Sequence, residues 1–238
     1  MKGIILAGGL GTRLYPLTFA TNKHLLPVYD KPMIYYPIDT LVTAGITEIL
    51  VITGGPYAGH FLRVLKNGKD LGIKHLEYAF QEKPDGGIAD ALALAKDFAD
   101  NQPIAVILGD NTTDTDIKKE ASSFKKGAFV FLKKVPDPER YGVPEFDDQD
   151  KIIRIEEKPK NPKSGYAVTG LYIYDTSVFE MISEIKPSDR GQLEITDVNN
   201  AYIKKGFLNW RELKGFWTDA GTYESLFKAN SYWREKKQ

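Results

Sequence analysis

A glycine-rich turn that follows directly on a short apolar run constrains this chain more than any other stretch. Residues 2–6 form the run, and Leu6-Ala7-Gly8-Gly9-Leu10-Gly11-Thr12-Arg13-Leu14-Tyr15-Pro16-Leu17-Thr18 carries on from it. A run this short, closed by glycines, predicts a buried first strand that ends where the turn begins. Three glycines in four positions leave the backbone free to take φ > 0 and to approach a ligand without interference from Cβ. Amides in such a turn converge on one point, which suits phosphate oxygens. Arg13 adds a planar guanidinium fork, and Lys23, in Asn22-Lys23-His24-Leu25-Leu26-Pro27, adds a more mobile cation. The stretch reads as a polyphosphate cradle, with a plain turn after a strand as the competing account.

Two other nucleotide-binding patterns fit less well. Gly9-Leu10-Gly11 begins like a dinucleotide fingerprint, but Leu14 stands where its third glycine should be. The next strand ends Ile52-Thr53-Gly54-Gly55, with no acid for a ribose hydroxyl, which argues against a nicotinamide oxidoreductase. A P-loop fails for want of Gly-Lys-Ser/Thr.

At 238 residues and 42% hydrophobic content the chain can bury a sizeable core. Lys+Arg and Asp+Glu balance at 32 each, so no overall field draws in nucleic acid or an anionic membrane. The absence of cysteine excludes a disulfide scaffold, thiolate catalysis and cysteine-ligated zinc, and three scattered histidines argue against a histidine metal site. No secretory leader or spanning segment is visible, which makes the cytoplasm the default address.

Apolar periodicity predicts strands at 46–53, 73–80 and 104–108, with helices at 31–44, 58–66 and 87–99 between them. Such alternation predicts an α/β fold, a doubly wound and mostly parallel sheet with helices on both faces. After Asp110 the rhythm changes. Strand-like segments at 127–135, 151–155 and 166–174 lack regular helices between them and predict a smaller mixed or antiparallel lobe. Helices at 177–185, 194–204 and 222–233 complete the pattern, and residues 234–238 read as a frayed, solvated tail. No Pro/Gly/Ser linker divides the chain, so 1–238 reads as one domain with two lobes, about 1–112 and about 113–238.

Several residues stand out chemically. Leu108-Gly109-Asp110-Asn111 places the Asp110 carboxylate at the sheet edge, as a turn residue or as a Mg²⁺ ligand beside substrate phosphates. Trp217-Thr218-Asp219-Ala220-Gly221-Thr222 offers Asp219 as a second ligand, or as a cap for the last helix. Gln81, at the end of the third strand, is a candidate amide partner for a pyrimidine edge.

The opening segment, with Asp30-Lys31-Pro32-Met33-Ile34-Tyr35-Tyr36, closely resembles the sugar nucleotidyltransferases, and the resemblance continues to Thr222. It implies a Rossmann-like fold and transfer of a nucleotidyl group from dTTP, or alternatively UTP, to glucose 1-phosphate. By the same resemblance Arg13, Lys23 and Lys158 would be catalytic cations, and Asp110 and Asp219 would hold Mg²⁺. Nucleotide contacts would fall to Ala7, Gly8, Gly9, Gly11, Thr12, Gln81 and the pair Gly86 and Gly87, the gap after Gln81 leaving open which glycine faces the base. The sugar phosphate would be held by Asn111, Tyr141, Gly142, Glu157, Val168 and Arg190, although Thr112-Thr113 replaces the apolar and aromatic residues usual after Asn111. Tyr141 and Gly142 come from Asp137-Pro138-Glu139-Arg140-Tyr141-Gly142-Val143, and Glu157 and Lys158 from Ile155-Glu156-Glu157-Lys158-Pro159. A non-catalytic nucleotide-sugar sensor would need the binding residues without the full charge set, and all four of Arg13, Lys23, Asp110 and Asp219 are present. The resemblance further implies a short form with altered feedback control, leaving a homo-oligomer open.

Overall fold

The computed structural model describes every residue, Met1–Gln238. Its first strand, β1 (Lys2–Ala7), is the apolar run, extended by the alanine that precedes the glycines. The chain continues through a small ribbon, β2 (Pro27–Val28) and β3 (Lys31–Pro32), then α1 (Tyr35–Thr43), β4 (Glu48–Gly54), α2 (Ala58–Leu65), β5 (His75–Gln81), α3 (Ile88–Ala93), α4 (Lys96–Ala99) and β6 (Ile104–Leu108). These four longer strands are parallel and lie in the order β5-β4-β1-β6. The order reverses between β1 and β6, so the loops leaving their carboxyl ends flank one crevice, where ligands of such sheets collect.

Why β1 is central follows from its side chains. Ile4 and Leu6 point into a 27-residue core on one face, while Ile5 and Ala7 point into a 20-residue core on the other. A strand apolar on both faces must be covered on both. Ile38, Leu41, Phe61 and Leu65 of α1 and α2 cover the second face, and Ala89, Leu92 and Phe98 of α3 and α4 cover the first. Each fully buried Ile or Leu contributes about 1.5 to 3 kcal/mol, so Ile4→Ala would cost about 2 to 5 kcal/mol once the cavity is counted.

The second half adds β7 (Asn111–Thr113), α5 (Lys118–Ser123), β8 (Ala128–Lys134), β9 (Gly142–Phe146), β10 (Ile152–Glu157), β11 (Tyr166–Tyr174), α6 (Val178–Glu184), α7 (Ile195–Lys204), β12 (Leu208–Glu212), β13 (Trp217–Asp219) and α8 (Tyr223–Lys236). β11 runs antiparallel to β6 and joins β8, β9 and β10 to the parallel strands in one nine-stranded sheet. The mixed part expected after Asp110 is therefore a continuation of the same sheet. A separate antiparallel ribbon pairs β13 with β7, setting Asp219 opposite Asn111.

Three expectations are corrected. Helix α1 starts at Tyr35, because the amides of Met33 and Ile34 bond to the carbonyls of Leu26 and His24, committing that backbone to a strand-like pairing. The helix expected at 87–99 breaks after Ala93, where Leu94 and Ala95 make tighter i→i−3 bonds to Ala91 and Leu92. Residues 234–236 are helical, with Lys236 on Asp114 at 2.7 Å and Lys237 on Asp30.

Candidate active site

The glycine turn works partly by shape. Of its three glycines only Gly11 takes a left-handed conformation, φ 69°, and a Cβ there would stand 2.8 Å from Cβ of Lys23. Gly8 is needed for close approach, since a Cβ on it would lie 2.5 Å from Oε1 of Gln81. Gln81 is buried rather than exposed, and its amide nitrogen donates to Asp90 at 3.0 Å and to the Gly87 carbonyl at 3.4 Å. The turn thus closes against the end of β5.

The next contribution comes from the two acids. Asp110 follows β6, is 7% exposed, and its Oδ2 accepts from Lys23 Nζ at 2.5 Å while Oδ1 accepts from the Asn111 amide at 3.0 Å. Burial works to raise its carboxyl, but the Lys23 ammonium and the Asn111 amide hold it well below the usual carboxylate range. Asp219 behaves oppositely. Burial and then the charge of Asp110 push it up, outweighing the Tyr141 hydroxyl, which donates to Oδ1 at 2.9 Å, and Arg140, whose Nη2 lies 3.6 Å from Oδ2. Asp219 does not cap the last helix. Thr222 does, in a reciprocal capping box with Ser225.

Both acids face Gly221. A Cβ there would stand 3.5 Å from Oδ2 of each aspartate and 3.0 Å from Nη2 of Arg13, so the glycine keeps a gap between two carboxylates and a guanidinium. Two largely shielded carboxylates in mutual repulsion, Asp110 buried and the Asp219 side chain 14% exposed, fit a hard divalent cation that takes a few carboxylates and completes its shell with phosphates and water. His24 does not add to the charge, since burial and then Lys23 push its imidazole down to about 3. Arg13 makes no ion pair or hydrogen bond to the protein.

The third contribution is a linked set of polar side chains from β10, α7 and the loop before α7. Glu157 accepts from Thr196 Oγ1 at 2.6 Å and from Arg190 Nη2 at 3.4 Å. Arg190 also donates to Glu194 at 2.8 Å, as does Ser188. Glu194 precedes α7 without a side-chain cap bond; its carboxylate orients Arg190 instead.

Two cavities meet here. One, of about 340 Å³, lies over the glycine turn and is lined by Gly8, Gly9, Lys23, Gln81 and Gly87. The other, of about 430 Å³, lies over the antiparallel strands and is lined by Asn111, Tyr141, Gly142, Val168 and Asp219. Arg13, Asp110, Glu157, Lys158 and Arg190 line both. A larger groove of about 710 Å³ beside α6 and α7 shares no residue with either.

Most of the expected residues therefore converge. Ala7, Gly11, Thr12 and Gly86 do not line either cavity. Ala7 is fully buried with its carbonyl turned to Asn22, Gly11 packs on Lys23, Thr12 is exposed at the start of a 3₁₀ turn that buries Leu14, and Gly86 packs on Asp90 while its carbonyl accepts from Leu193. Of the two candidate glycines at the base, Gly87 lines the nucleotide-side cavity. Asn111 lines the other cavity, but its oxygen is already engaged by the Gly170 amide and the Trp217 indole.

Residue-type reasoning passed over Arg140, Thr196, Asn199 and Gln192, which also line the larger of the two. A signal existed for two of them. Thr196 and Asn199 lie three apart on a helix whose buried face is otherwise Ile195, Val198 and Tyr202, and polar residues interrupting an apolar stripe mark a site or a buried network.

Fold and site together define a protein with two adjoining cavities, lined by cations and the two acids, over one sheet edge. A family model for nucleotidyl transferases matches residues 2–236, and the chain belongs to that family. It is 50% identical to the glucose-1-phosphate thymidylyltransferase of Neisseria gonorrhoeae, over 98% of this chain and 82% of that protein. Among solved structures, a provisionally assigned glucose-1-phosphate thymidylyltransferase of Bacillus anthracis, in complex with sucrose, is 52% identical and superposes with a TM-score of 0.93 over 99% of this chain and 96% of its own. A UDP-glucose pyrophosphorylase bound to UDP-glucose is 26% identical with a TM-score of 0.84, covering 99% of this chain and 98% of its own.

Proposed function

We propose that the chain transfers a thymidylyl group from dTTP to glucose 1-phosphate, releasing pyrophosphate and dTDP-glucose. The observation that carries this reading is the pair of adjoining cavities sharing Arg13, Asp110, Glu157, Lys158 and Arg190. The nucleotide occupies the side formed by the glycine turn and Gln81, the sugar phosphate the side formed by β9, β10 and β11. Residues 1–112 and 113–238 supply these sides within one domain.

In the reaction a phosphate oxygen of glucose 1-phosphate attacks the α-phosphorus of dTTP. The new P–O bond forms as the bond to the β-phosphate oxygen breaks, and pyrophosphate carries away the electron pair. A phosphate monoester loses its second proton near pH 6, so no general base is needed at neutral pH. The barrier is repulsion between two anions and the entropy of aligning them. Arg13, unpartnered in the protein, neutralises the triphosphate and the charge growing on pyrophosphate. Lys158, which lines both cavities, and Lys23 align the reacting phosphates. Glu157, held by Thr196 and Arg190, accepts from sugar hydroxyls, and Tyr141, Gly142 and Val168 shape the pocket. Asp110 and Asp219 would hold Mg²⁺, which supplies Lewis-acid neutralisation of phosphate oxygens when bound.

The Gln81 amide favours a pyrimidine, and uridylyl transfer is the close alternative because one methyl on the base is worth only about 1 to 3 kcal/mol. No helix is long and apolar enough to cross a membrane, and the reading places the reaction in the cytoplasm. Incubation with each nucleoside triphosphate, each common sugar 1-phosphate and Mg²⁺ tests the reading by pyrophosphate release. Fastest release is expected with dTTP and glucose 1-phosphate, and release with neither dTTP nor UTP would overturn it.

A further inference from the structure

Each of the two acids presents one oxygen that is held by a neutral donor and one that carries a protein cation. Asp110 Oδ1 takes the Asn111 amide at 3.0 Å, and Asp219 Oδ1 takes the Tyr141 hydroxyl at 2.9 Å. The two Oδ2 atoms, which face the gap at Gly221, carry Lys23 at 2.5 Å and Arg140 at 3.6 Å. A cation arriving at these two acids must therefore replace protein charge on both.

Arg140 is built for that exchange. Its Nη1 is anchored on Asp137 Oδ2 at 2.6 Å and its guanidinium carbon lies 5.3 Å from the Tyr141 ring centre. Its Nη2 is buried without a hydrogen-bond partner and lies beyond hydrogen-bond reach of Asp219. Buried donors are ordinarily satisfied, and one left open against a carboxylate on a cavity wall has been placed where another acceptor will come. Arg140 lines the sugar-side cavity and Lys23 the nucleotide-side one, so the phosphates of the two substrates offer acceptors to these two cations as a divalent cation arrives.

We propose that Arg140 is a positioning residue that serves as counter-ion to Asp219, so that the acids admit a divalent cation readily only together with substrate phosphate. The inference rests on reading Asp110 and Asp219 as the metal-holding pair. An opposite charge within about 4 to 6 Å shifts the proton affinity of a carboxylate by roughly tenfold to a thousandfold, and a competing metal ion meets the same bias. With the Arg140 side chain 34% exposed, the lower end applies.

The test is calorimetric titration of Mn²⁺ into the nucleotide-free protein. Arg140→Gln is expected to bind Mn²⁺ about tenfold more tightly than the wild type, whereas Arg140→Lys stays near the wild type. Asp137→Asn, which releases the anchor and lets Arg140 settle on Asp219, should weaken Mn²⁺ binding. That variant changes a half-exposed loop residue and keeps the question answerable should Arg140→Gln fail to fold. A purely structural role would weaken binding in every variant. Equal or weaker binding by Arg140→Gln, or by Asp137→Asn no loss, overturns the counter-ion role. Tight Mn²⁺ binding by Arg140→Gln that survives Asp110→Asn with Asp219→Asn would instead overturn the metal assignment itself.

Discussion

The two sides of the site solve different problems. On the antiparallel side, Glu157, Thr196, Arg190, Glu194 and Ser188 are already bonded to one another before any ligand is considered. On the parallel side the turn carries close-packed backbone, and its arginine, Arg13, has no protein partner. A neutral hydroxyl is recognised by direction, so its acceptor must be fixed in advance by partners of its own. A polyphosphate is recognised by charge, and of the two cations there Arg13 keeps more of its effect, since Lys23 is already paired with the Asp110 carboxylate at 2.5 Å.

The largest effect that would break this contrast is removal of both acids. Asp110→Asn with Asp219→Asn is expected to abolish Mg²⁺-dependent pyrophosphate release, and retained turnover would remove the metal role. Next comes Arg13→Ala, expected to lower turnover by roughly 10²-fold or more, about what one preorganised charge contact is worth. Turnover near the wild type would mean that the free guanidinium is not aimed at substrate. Glu157→Gln sharpens the comparison from the other side. It should reduce kcat/KM for glucose 1-phosphate by roughly 10- to 100-fold and leave KM for dTTP nearly unchanged, as expected for one charged hydrogen-bonding group. A matched loss on dTTP would show that the two sides are not separable.

The smallest effect concerns the frame rather than the site. Asp114, just after β7, accepts from the Phe216 amide at 2.7 Å, from Lys236 at 2.7 Å and from Tyr232, tying the last turns of α8 to the β7–β13 ribbon. Burial would raise its carboxyl, but these partners hold it below its ordinary value. A lowered carboxylate contributes stability above its unfolded-state pKa, and that contribution is lost as pH falls through the lower folded-state value. Asp114→Asn should therefore reduce Tm by about 2 to 4 °C at neutral pH, the shift that roughly 1 kcal/mol produces in a domain of this size. Melting curves in progressively more acid buffers should bring the two proteins together, and a gap that widens in acid would contradict the assignment.

Much of the fold was legible because its signals are local. The run at 104–108 matches β6 residue for residue, and residues 166–174 match β11. Apolar alternation and the glycine stop at Gly45 need no knowledge of distant residues. The helix break after Ala93 and the strand-like start at Lys31 were not legible, since both depend on hydrogen bonds chosen by packing.

The sequence by itself determined a parallel α/β sheet led by a glycine turn, and it singled out two acids 109 residues apart as numbered, Asp110 and Asp219, as candidates for one task. Only the tertiary structure decided that they face each other across Gly221 with opposite electrostatics, one satisfied by Lys23 and the other in repulsion with its neighbour. It also decided that Arg140 joins them and that the terminal lysines hold α8 in place. The physical reason is that a side chain's type is local, whereas its charge state and partners depend on groups that only folding brings near. The ion pair of Lys23 with Asp110, 87 residues apart, and that of Arg140 with Asp219 each join distant parts of one half of the chain, and exist only once the strands that carry them have folded together.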